Sequence, residues 1–225
     1  MKSEELKIIA KIKSGFPTKF GIPRQSNLIE GLQSQIIFEP EFRSPDAIRG
    51  LEGYSHIWLI WEFNLSKEST ALTVRPPRLG GNTRMGVFAT RSPFRPNPIG
   101  LSCVKIEKIV SHEQLGNIIY VSGADLADGT PILDIKPYLP NVDCVPDAVG
   151  GFSKDVRDYA LNVVIPEEIT EKENTDFLFV LTQILAQDPR PSYQKDPERI
   201  YGFPYEGREI KFKVNEDTLY VTQII

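Results

Sequence analysis

The feature that most constrains this chain is a series of short runs rich in β-branched residues, each bounded by glycine, proline or asparagine. Seven such runs fill the first two thirds of the sequence: Leu6–Ile12, Gln35–Phe38, Ser55–Phe63, Arg84–Ala89, Leu101–Val110, Asn117–Ser122 and Pro131–Pro137. Because no long helical pattern separates them, an antiparallel barrel or sandwich is favoured over βαβ units. The predicted fold class is therefore mainly β.

The pattern changes after about Val164. Apolar residues then recur at steps of three and four, which predicts an amphipathic helix through Phe177, Leu178, Leu181, Ile184 and Leu185. The prolines of Asp188-Pro189-Arg190-Pro191 end this helix. Two β-rich runs follow and predict a hairpin of Glu206–Val214 and Thr218–Ile225. We expect a β domain at residues 1–163 and a C-terminal α+β appendage at 164–225.

Composition limits the class of protein and its compartment. The 225 residues are 40% hydrophobic, which is enough to bury a core, and the longest apolar run, His56–Phe63, is far short of the roughly 20 residues of a membrane span. The first residues contain no hydrophobic signal region, so a cytoplasmic protein is expected. Cys103 and Cys144 are expected to be free thiols, and no zinc-binding spacing occurs, so no metal is expected.

Charge is segregated along the chain, although the formal net charge is only −4. No acidic residue occurs between Ser69 and Ile106, whereas this stretch holds six of the 26 basic residues: Arg75, Arg78, Arg84, Arg91, Arg95 and Lys105. A basic segment in an acidic protein is typical of binding to a phosphate-bearing partner. The alternative is a set of solvated arginines that pair with nearby carboxylates.

The same region is rich in residues with special backbone properties. The 27 residues from Arg75 to Leu101 include five Pro, four Gly and five Arg. Because proline fixes φ and glycine allows close backbone approach, such a loop can form an ordered wall for a ligand. The alternative is an elaborate connection between strands.

Several segments of the sequence together resemble the TsaA/TrmO family. They are Ile22–Gln25, Arg49–Trp58, the Arg75–Gly100 loop, Asp125–Pro131, Asp134–Tyr138 and Asp188–Tyr193. They follow the order of the family and extend over nearly the whole chain. The resemblance implies a small antiparallel β-barrel as catalytic domain, a C-terminal appendage as in bacterial members, and a homodimer.

Members of this family are S-adenosylmethionine-dependent tRNA methyltransferases. The resemblance therefore implies methyl transfer to N6 of N6-threonylcarbamoyladenosine at position 37 of tRNA, with threonine-type tRNA as the expected substrate. No Gly-x-Gly-x-x-Gly motif follows a strand in this sequence, so a Rossmann-type cofactor site is not expected.

By position, the resemblance implies cofactor contacts from scattered loops, at Pro23, Arg24, Gln25, Asn64, Leu65, Arg91, Leu101, Asp125, Asp128, Gly129 and Thr130. Asn64-Leu65 departs from the His-Gln pair of the family, so backbone contacts are expected there. Arg91 can pair with the cofactor carboxylate or with an acidic neighbour. Asp128 can accept from the amino group or the ribose hydroxyls, or can only shape a turn with Gly129.

Methyl transfer to an exocyclic amine needs a hydrogen-bond acceptor near N6, and arginine cannot accept. Asn97 offers an amide oxygen and a following carbonyl in Asn97-Pro98-Ile99-Gly100, so it is a candidate catalytic residue; the alternative is an Asn-Pro turn. His56, Trp58 and Trp61 are expected to be core residues.

Contacts to tRNA are expected from Arg75, Arg78, Arg84, Arg95, Arg190 and Tyr193. The flanking prolines hold Arg190 and Tyr193 in a stiff, extended segment. This presentation suits Arg190 for a phosphate or the threonylcarbamoyl carboxylate and Tyr193 for base stacking, so both are also candidate catalytic residues. The alternative is that the segment only seals the helix end against the barrel.

Two other functions fit the sequence less closely. One is a module that binds S-adenosylmethionine or a nucleotide without catalysis, and the other is a methyltransferase of the same fold that acts on another substrate. The arginine-rich loop and the Asp188–Tyr193 segment together favour an RNA substrate.

Overall fold

A computed structural model of the chain describes residues 6–67, 69–76, 83–152, 160–190 and 196–225. Two candidate site residues, Arg78 and Tyr193, lie outside these ranges. The strands are β1 (Ala10–Lys13), β2 (Gln33–Phe38), β3 (His56–Glu62), β4 (Thr73–Val74), β5 (Met85–Gly86), β6 (Ile99–His112), β7 (Gly116–Ser122), β8 (Pro131–Pro137), β9 (Asn162–Val164), β10 (Tyr201–Tyr205), β11 (Arg208–Asn215) and β12 (Thr218–Ile224). The α-helices are α1 (Pro140–Asp143), α2 (Glu167–Thr170) and α3 (Thr175–Ala186). The mainly β class is confirmed.

Six strands form a closed antiparallel barrel in the order β1-β2-β7-β6-β3-β8, with β8 paired back to β1. Side chains alternate along these strands between the barrel interior and the outside. In β3, Ile57, Leu59 and Trp61 are buried in the interior, together with residues of the other strands such as Val104 and Ile119. The prediction that Trp61 is a core residue is therefore confirmed.

The prediction that His56 and Trp58 are core residues is wrong. Both occupy the outer positions of β3, because they are an odd number of residues from Ile57 and side chains alternate along a strand. Both are half-buried beside the Tyr138 ring, and Trp58 Nε1 donates to Asp143 Oδ2 at 3.0 Å.

The C-terminal region contains a four-stranded sheet in the order β10-β11-β12-β9, in which β9 runs parallel to β12. The expected helix is present as α3, and its start is set by Asn174, whose side chain accepts from the backbone N–H of Asp176 and Phe177. The expected hairpin is present as β11 and β12. Strand β9 begins two residues before the expected domain boundary, and neither β9 nor β10 was expected.

The described residues form two apolar cores. One fills the barrel, and the other lies between α3 and the C-terminal sheet. Phe16, Ile29 and Leu32 belong to the second core, although they lie between β1 and β2 of the barrel. Burial of each such side chain contributes about 1.5–3 kcal/mol. Residues 14–32 therefore hold the C-terminal region against the barrel.

Within the described ranges, no helix is both long and apolar enough to cross a membrane.

Candidate functional site

A mostly buried carboxylate, that of Asp125, lies just after β7. Its Oδ1 accepts from Ser102 Oγ at 2.5 Å, and Ser102 Oγ accepts from Trp61 Nε1 at 3.0 Å. Gly100 makes room for this arrangement, because a Cβ at that position would lie 2.3 Å from the Trp61 ring. Burial raises the pKa of Asp125 above its ordinary value, although the hydrogen bond from Ser102 and the charge of Arg91 oppose the shift.

Arg91 brings a positive charge to the same place. It follows the 3₁₀ turn Val87–Ala89, and its Nη1 donates to Gln25 Oε1 at 2.6 Å. Gln25 Nε2 in turn donates to the backbone carbonyl of Arg24 at 2.6 Å. The fold thus brings together Arg24, Gln25, Arg91 and Asp125, which come from three separate segments of the sequence.

The C-terminal region reaches this cluster through Asp188. Arg24 Nη2 donates to the backbone carbonyl of Asp188 at 3.4 Å. The Asp188 carboxylate accepts from Arg190 Nε at 2.8 Å and from Arg190 Nη2 at 2.9 Å, and the two side chains are only 13% and 12% exposed. Arg190 therefore lies near the expected site, in an ion pair that is largely shielded from water.

Asp128 has a defined structural role. Its Oδ1 accepts from the backbone N–H of Ser14 at 2.9 Å, and its own N–H donates to the Phe16 carbonyl at 2.7 Å. Gly129 completes the turn with a φ of +74°, and Thr130 is buried. These contacts favour the interpretation that Asp128 shapes a turn.

Asn64 and Leu65 follow β3 and are exposed. The end of β3 is bonded to the Asn97 segment, since the N–H of Phe63 donates to the Pro98 carbonyl at 2.8 Å. The Asn97 carbonyl accepts from the N–H of Ile99 at 2.7 Å, so both backbone carbonyls of the Asn-Pro pair already accept a bond. The side-chain amide of Asn97 is exposed, so the amide oxygen that was expected as an acceptor is accessible.

Of the other expected cofactor contacts, Pro23 is buried, and Leu101 lies half-exposed on the outer face of β6.

The described arginines of the basic segment differ in exposure. Arg75 and Arg84 are exposed, whereas Arg95 is partly buried and its Nη1 donates to the Thr90 carbonyl at 3.1 Å. Within the described part of the chain, none of Arg75, Arg84, Arg91 and Arg95 forms an ion pair with a carboxylate. The alternative that these arginines only pair with nearby acids is therefore not supported.

Sequence reasoning missed Ser102 and the link through Asp188. A signal for Ser102 was available, because Gly100, Ser102 and Val104 alternate on the inward face of β6 and a polar residue is unusual there. No comparable signal indicates that the Asp188 carbonyl meets Arg24, since the two residues are distant in sequence.

A groove of about 1050 Å³ lies elsewhere, between residues 27–33, α3 and the outer face of the barrel. His56, Lys105 and Glu107 line its barrel side, and Phe179 lines its helix side. None of the expected cofactor contacts lines this groove. In the ranges that the structure describes, no cluster of His, Cys, Asp and Glu could hold a metal ion.

Comparisons with known proteins agree on one family. Residues 11–144 match the tRNA-methyltransferase O N-terminal domain, and residues 159–225 match the TrmO C-terminal domain. A protein of Escherichia coli K12 named tRNA (adenine(37)-N6)-methyltransferase is 40% identical over 205 residues, which cover 88% of this chain and 87% of that protein.

Two further matches come from Pseudomonas aeruginosa. One is named putative S-adenosylmethionine-dependent methyltransferase RcsF; it is 42% identical over 203 residues, covering 86% of this chain and 85% of its own. The crystal structure of TrmO from Pseudomonas aeruginosa matches with a TM-score of 0.76 and 32% identity over 99% of both chains.

Proposed function

The chain belongs to the tRNA-methyltransferase O family, and on this premise we propose the donor, the acceptor and the residues of its reaction. The chain is a tRNA (adenine(37)-N6)-methyltransferase. The proposed methyl donor is S-adenosyl-L-methionine. The proposed acceptor is N6 of N6-threonylcarbamoyladenosine at position 37, in threonine-type tRNA.

The observation that carries the proposal is the proximity of opposite charges at Arg91 and Asp125. The amino-acid part of the donor has one carboxylate and one ammonium group. Arg91 would hold the carboxylate and Asp125 the ammonium group, since charge-assisted hydrogen bonds are stronger than neutral ones. The bond from Ser102 and the bond to Gln25 fix both groups before the ligand arrives.

The remaining contacts that we propose for the donor come from the surrounding loops. They are Pro23, Arg24, Asn64, Leu65, Leu101, Asp128, Gly129 and Thr130, whereas Gln25 bonds Arg91. Asp128 would act through the turn that it holds against Ser14.

The bound donor supplies an electrophilic methyl group. The chain must hold N6 in line with this group and accept a hydrogen bond from the N–H as the nitrogen becomes more positive. We assign this acceptor role to the side-chain amide oxygen of Asn97, which is exposed beside the end of β3.

We propose that tRNA binds over the basic segment through Arg75, Arg78, Arg84 and Arg95, together with Tyr193. The exposure of Arg75 and Arg84, with no carboxylate partner among the described residues, supports a phosphate-binding role for these two. We do not extend this role to Arg190, because its ion pair with Asp188 favours the alternative that its segment seals the end of α3.

We also propose that the protein acts as a homodimer in the cytoplasm. Large apolar side chains are exposed near the basic segment, with Leu72 at 72% and Phe88 at 79%. Exposed apolar groups in one region are typical of an interaction surface. Light scattering of the purified protein should give twice the mass of one chain.

Methylation of defined tRNAs tests the proposal. Purified protein and S-adenosylmethionine are incubated with threonine tRNA that carries either N6-threonylcarbamoyladenosine or plain adenosine at position 37, and the nucleosides are analysed by mass spectrometry. We expect methyl on the modified nucleoside only. Equal methylation of plain adenosine would overturn the proposed acceptor. Activity without S-adenosylmethionine would overturn the proposed donor, and the absence of turnover on any tRNA would favour a binding module.

A further inference from the structure

A continuous path of polar contacts joins the C-terminal region to Arg91. We propose that Gln25 and Asp188 are positioning residues, which orient the Arg91 guanidinium toward the amino-acid end of the methyl donor. This inference rests on the proposed role of Arg91. It gives Gln25 a different task from direct cofactor contact and gives the C-terminal region a part in cofactor binding.

Gln25 has a fixed orientation between two partners. Its amide has one donor end and one acceptor end, and the backbone carbonyl of Arg24 can only accept. The amide nitrogen therefore faces that carbonyl and the oxygen faces Arg91, with both contacts at 2.6 Å. A side chain held at both ends gives the guanidinium a single direction of approach.

Arg24 is itself held from the C-terminal side. Its Nη2 donates to the Asp188 carbonyl, and the direction of that carbonyl depends on a backbone φ of +53° at Asp188. Arg190 stabilises this conformation with three bonds to the Asp188 carboxylate, from its backbone N–H at 3.3 Å, Nε at 2.8 Å and Nη2 at 2.9 Å. Because the pair is about one-eighth exposed, salt and water weaken it little.

Arg91 needs such support because its side chain is exposed and long. An arginine side chain has about 2 kcal/mol of rotamer entropy to lose when it is ordered. Asp125 is already fixed by Ser102, so a ligand with two charged groups binds tightly only when Arg91 is fixed as well. The path through Gln25 supplies this order in advance.

Two ligands that differ in one chemical group test the inference. S-Adenosylhomocysteine carries the amino-acid group, whereas 5′-methylthioadenosine has the same nucleoside and lacks it. We expect Gln25→Leu to weaken S-adenosylhomocysteine binding about tenfold and Asp188→Asn about threefold, with 5′-methylthioadenosine binding unchanged in both. Asparagine tolerates a positive φ as aspartate does, so Asp188→Asn removes the ion pair and keeps the backbone preference.

A double substitution separates positioning from direct contact. If Gln25 acts through Arg91, Gln25→Leu has no further effect on S-adenosylhomocysteine binding in an Arg91→Ala background. Multiplied losses would mean that Gln25 contacts the ligand directly and would overturn the inference.

Other results have equally definite meanings. If a variant loses equal affinity for both ligands, the replaced residue has only a structural role. If its affinity for S-adenosylhomocysteine is unchanged, the residue has no role in binding. Either result overturns this inference and leaves the proposed donor unaffected. A wild-type protein that binds neither ligand would overturn the proposed donor and this inference with it.

Discussion

Arg91 and Arg190 have similar sequence surroundings and opposite environments. Both lie within two residues of a proline, Pro93 in one case and Pro189 in the other. The Arg91 side chain is exposed and bonds the neutral amide of Gln25. Arg190 bonds a carboxylate two residues away, that of Asp188, and is largely buried.

The difference shows that the partner of an arginine, rather than the stiffness of its loop, decides what the arginine can bind. A guanidinium that is neutralised by a carboxylate on its own segment has little charge left for an external anion. A guanidinium that bonds a neutral amide keeps its full charge and gains a fixed direction. The comparison therefore predicts different losses when each arginine is removed.

The largest expected effect is on folding. Arg190→Ala removes the two hydrogen bonds that the Arg190 side chain makes to the mostly buried Asp188 carboxylate, so we expect the free energy of unfolding to fall by about 3 kcal/mol. Urea denaturation measures this change, with Arg91→Ala as the matched control, for which a change below about 0.5 kcal/mol is expected. If Arg190→Ala unfolds as wild type does but loses tenfold or more of its methylation rate, Arg190 contacts tRNA and the comparison fails.

The next effect is on cofactor binding. Arg91→Ala removes a charge-assisted bond and should weaken S-adenosylmethionine binding by tens of fold, about 2–3 kcal/mol. Arg91→Lys should recover part of this loss, because lysine keeps the charge without the two-pronged geometry. Calorimetric titration gives both affinities. Arg91 would lie outside the site if the alanine variant bound as tightly as wild type.

A smaller effect is expected for each contact to tRNA. Replacing Arg75 or Arg84 by alanine should flatten the slope of log affinity against log salt by somewhat less than about one unit. Arg95→Ala should change the slope less, because this guanidinium already bonds the Thr90 carbonyl. Lys7, which is exposed and paired with Glu41, provides a control whose replacement leaves the slope unchanged. A slope that is insensitive to all three arginines would place the RNA elsewhere.

The smallest effect concerns pH. The pKa of Asp125 is raised by burial, so the folded chain keeps this proton to higher pH than the unfolded chain, and the contribution of Asp125 to stability falls as pH rises through that interval. Binding shows the opposite trend, because only the ionised carboxylate attracts an ammonium group. We expect affinity for S-adenosylhomocysteine to fall about fivefold as pH drops through the raised pKa.

Asp125→Asn should make this affinity independent of pH over the same interval. Ser102→Ala should move the transition to higher pH, since the hydrogen bond from Ser102 stabilises the ionised form. A pH dependence that persists in Asp125→Asn would assign the titration to another group.

Local patterns in the sequence allowed most strands and helix α3 to be predicted. They did not show which strands or side chains become partners of one another. The periodicity of Phe177, Leu181 and Ile184 is a property of α3 alone, so it is readable from sequence. Strand β10 was missed because Gly202 and Pro204 are typical of turns. Strand β9 was missed because it has three residues and pairs in parallel with β12, far along the chain.

In the candidate site, too, some features could be predicted from the sequence and others could not. Arg24, Gln25, Arg91 and Asp125 were predicted through resemblance to a family, and the structure places them together. The bond between Trp61 and Ser102 depends on the register that puts Trp61 opposite Gly100, and a single sequence does not specify register across strands. The burial of Arg190 depends on how the C-terminal region packs, which its extended, proline-rich segment does not reveal.

The placement of Phe16, Ile29 and Leu32 in the second core affects how the protein is made. The elements that complete this core, α3 and β10 to β12, are synthesised roughly 150–200 residues after these side chains. At about 5–20 residues per second, this delay lasts roughly 10–40 s. During that time the nascent barrel exposes an apolar segment that chaperones can bind. The burial of Phe16, Ile29 and Leu32 therefore waits until the C-terminal region has been synthesised.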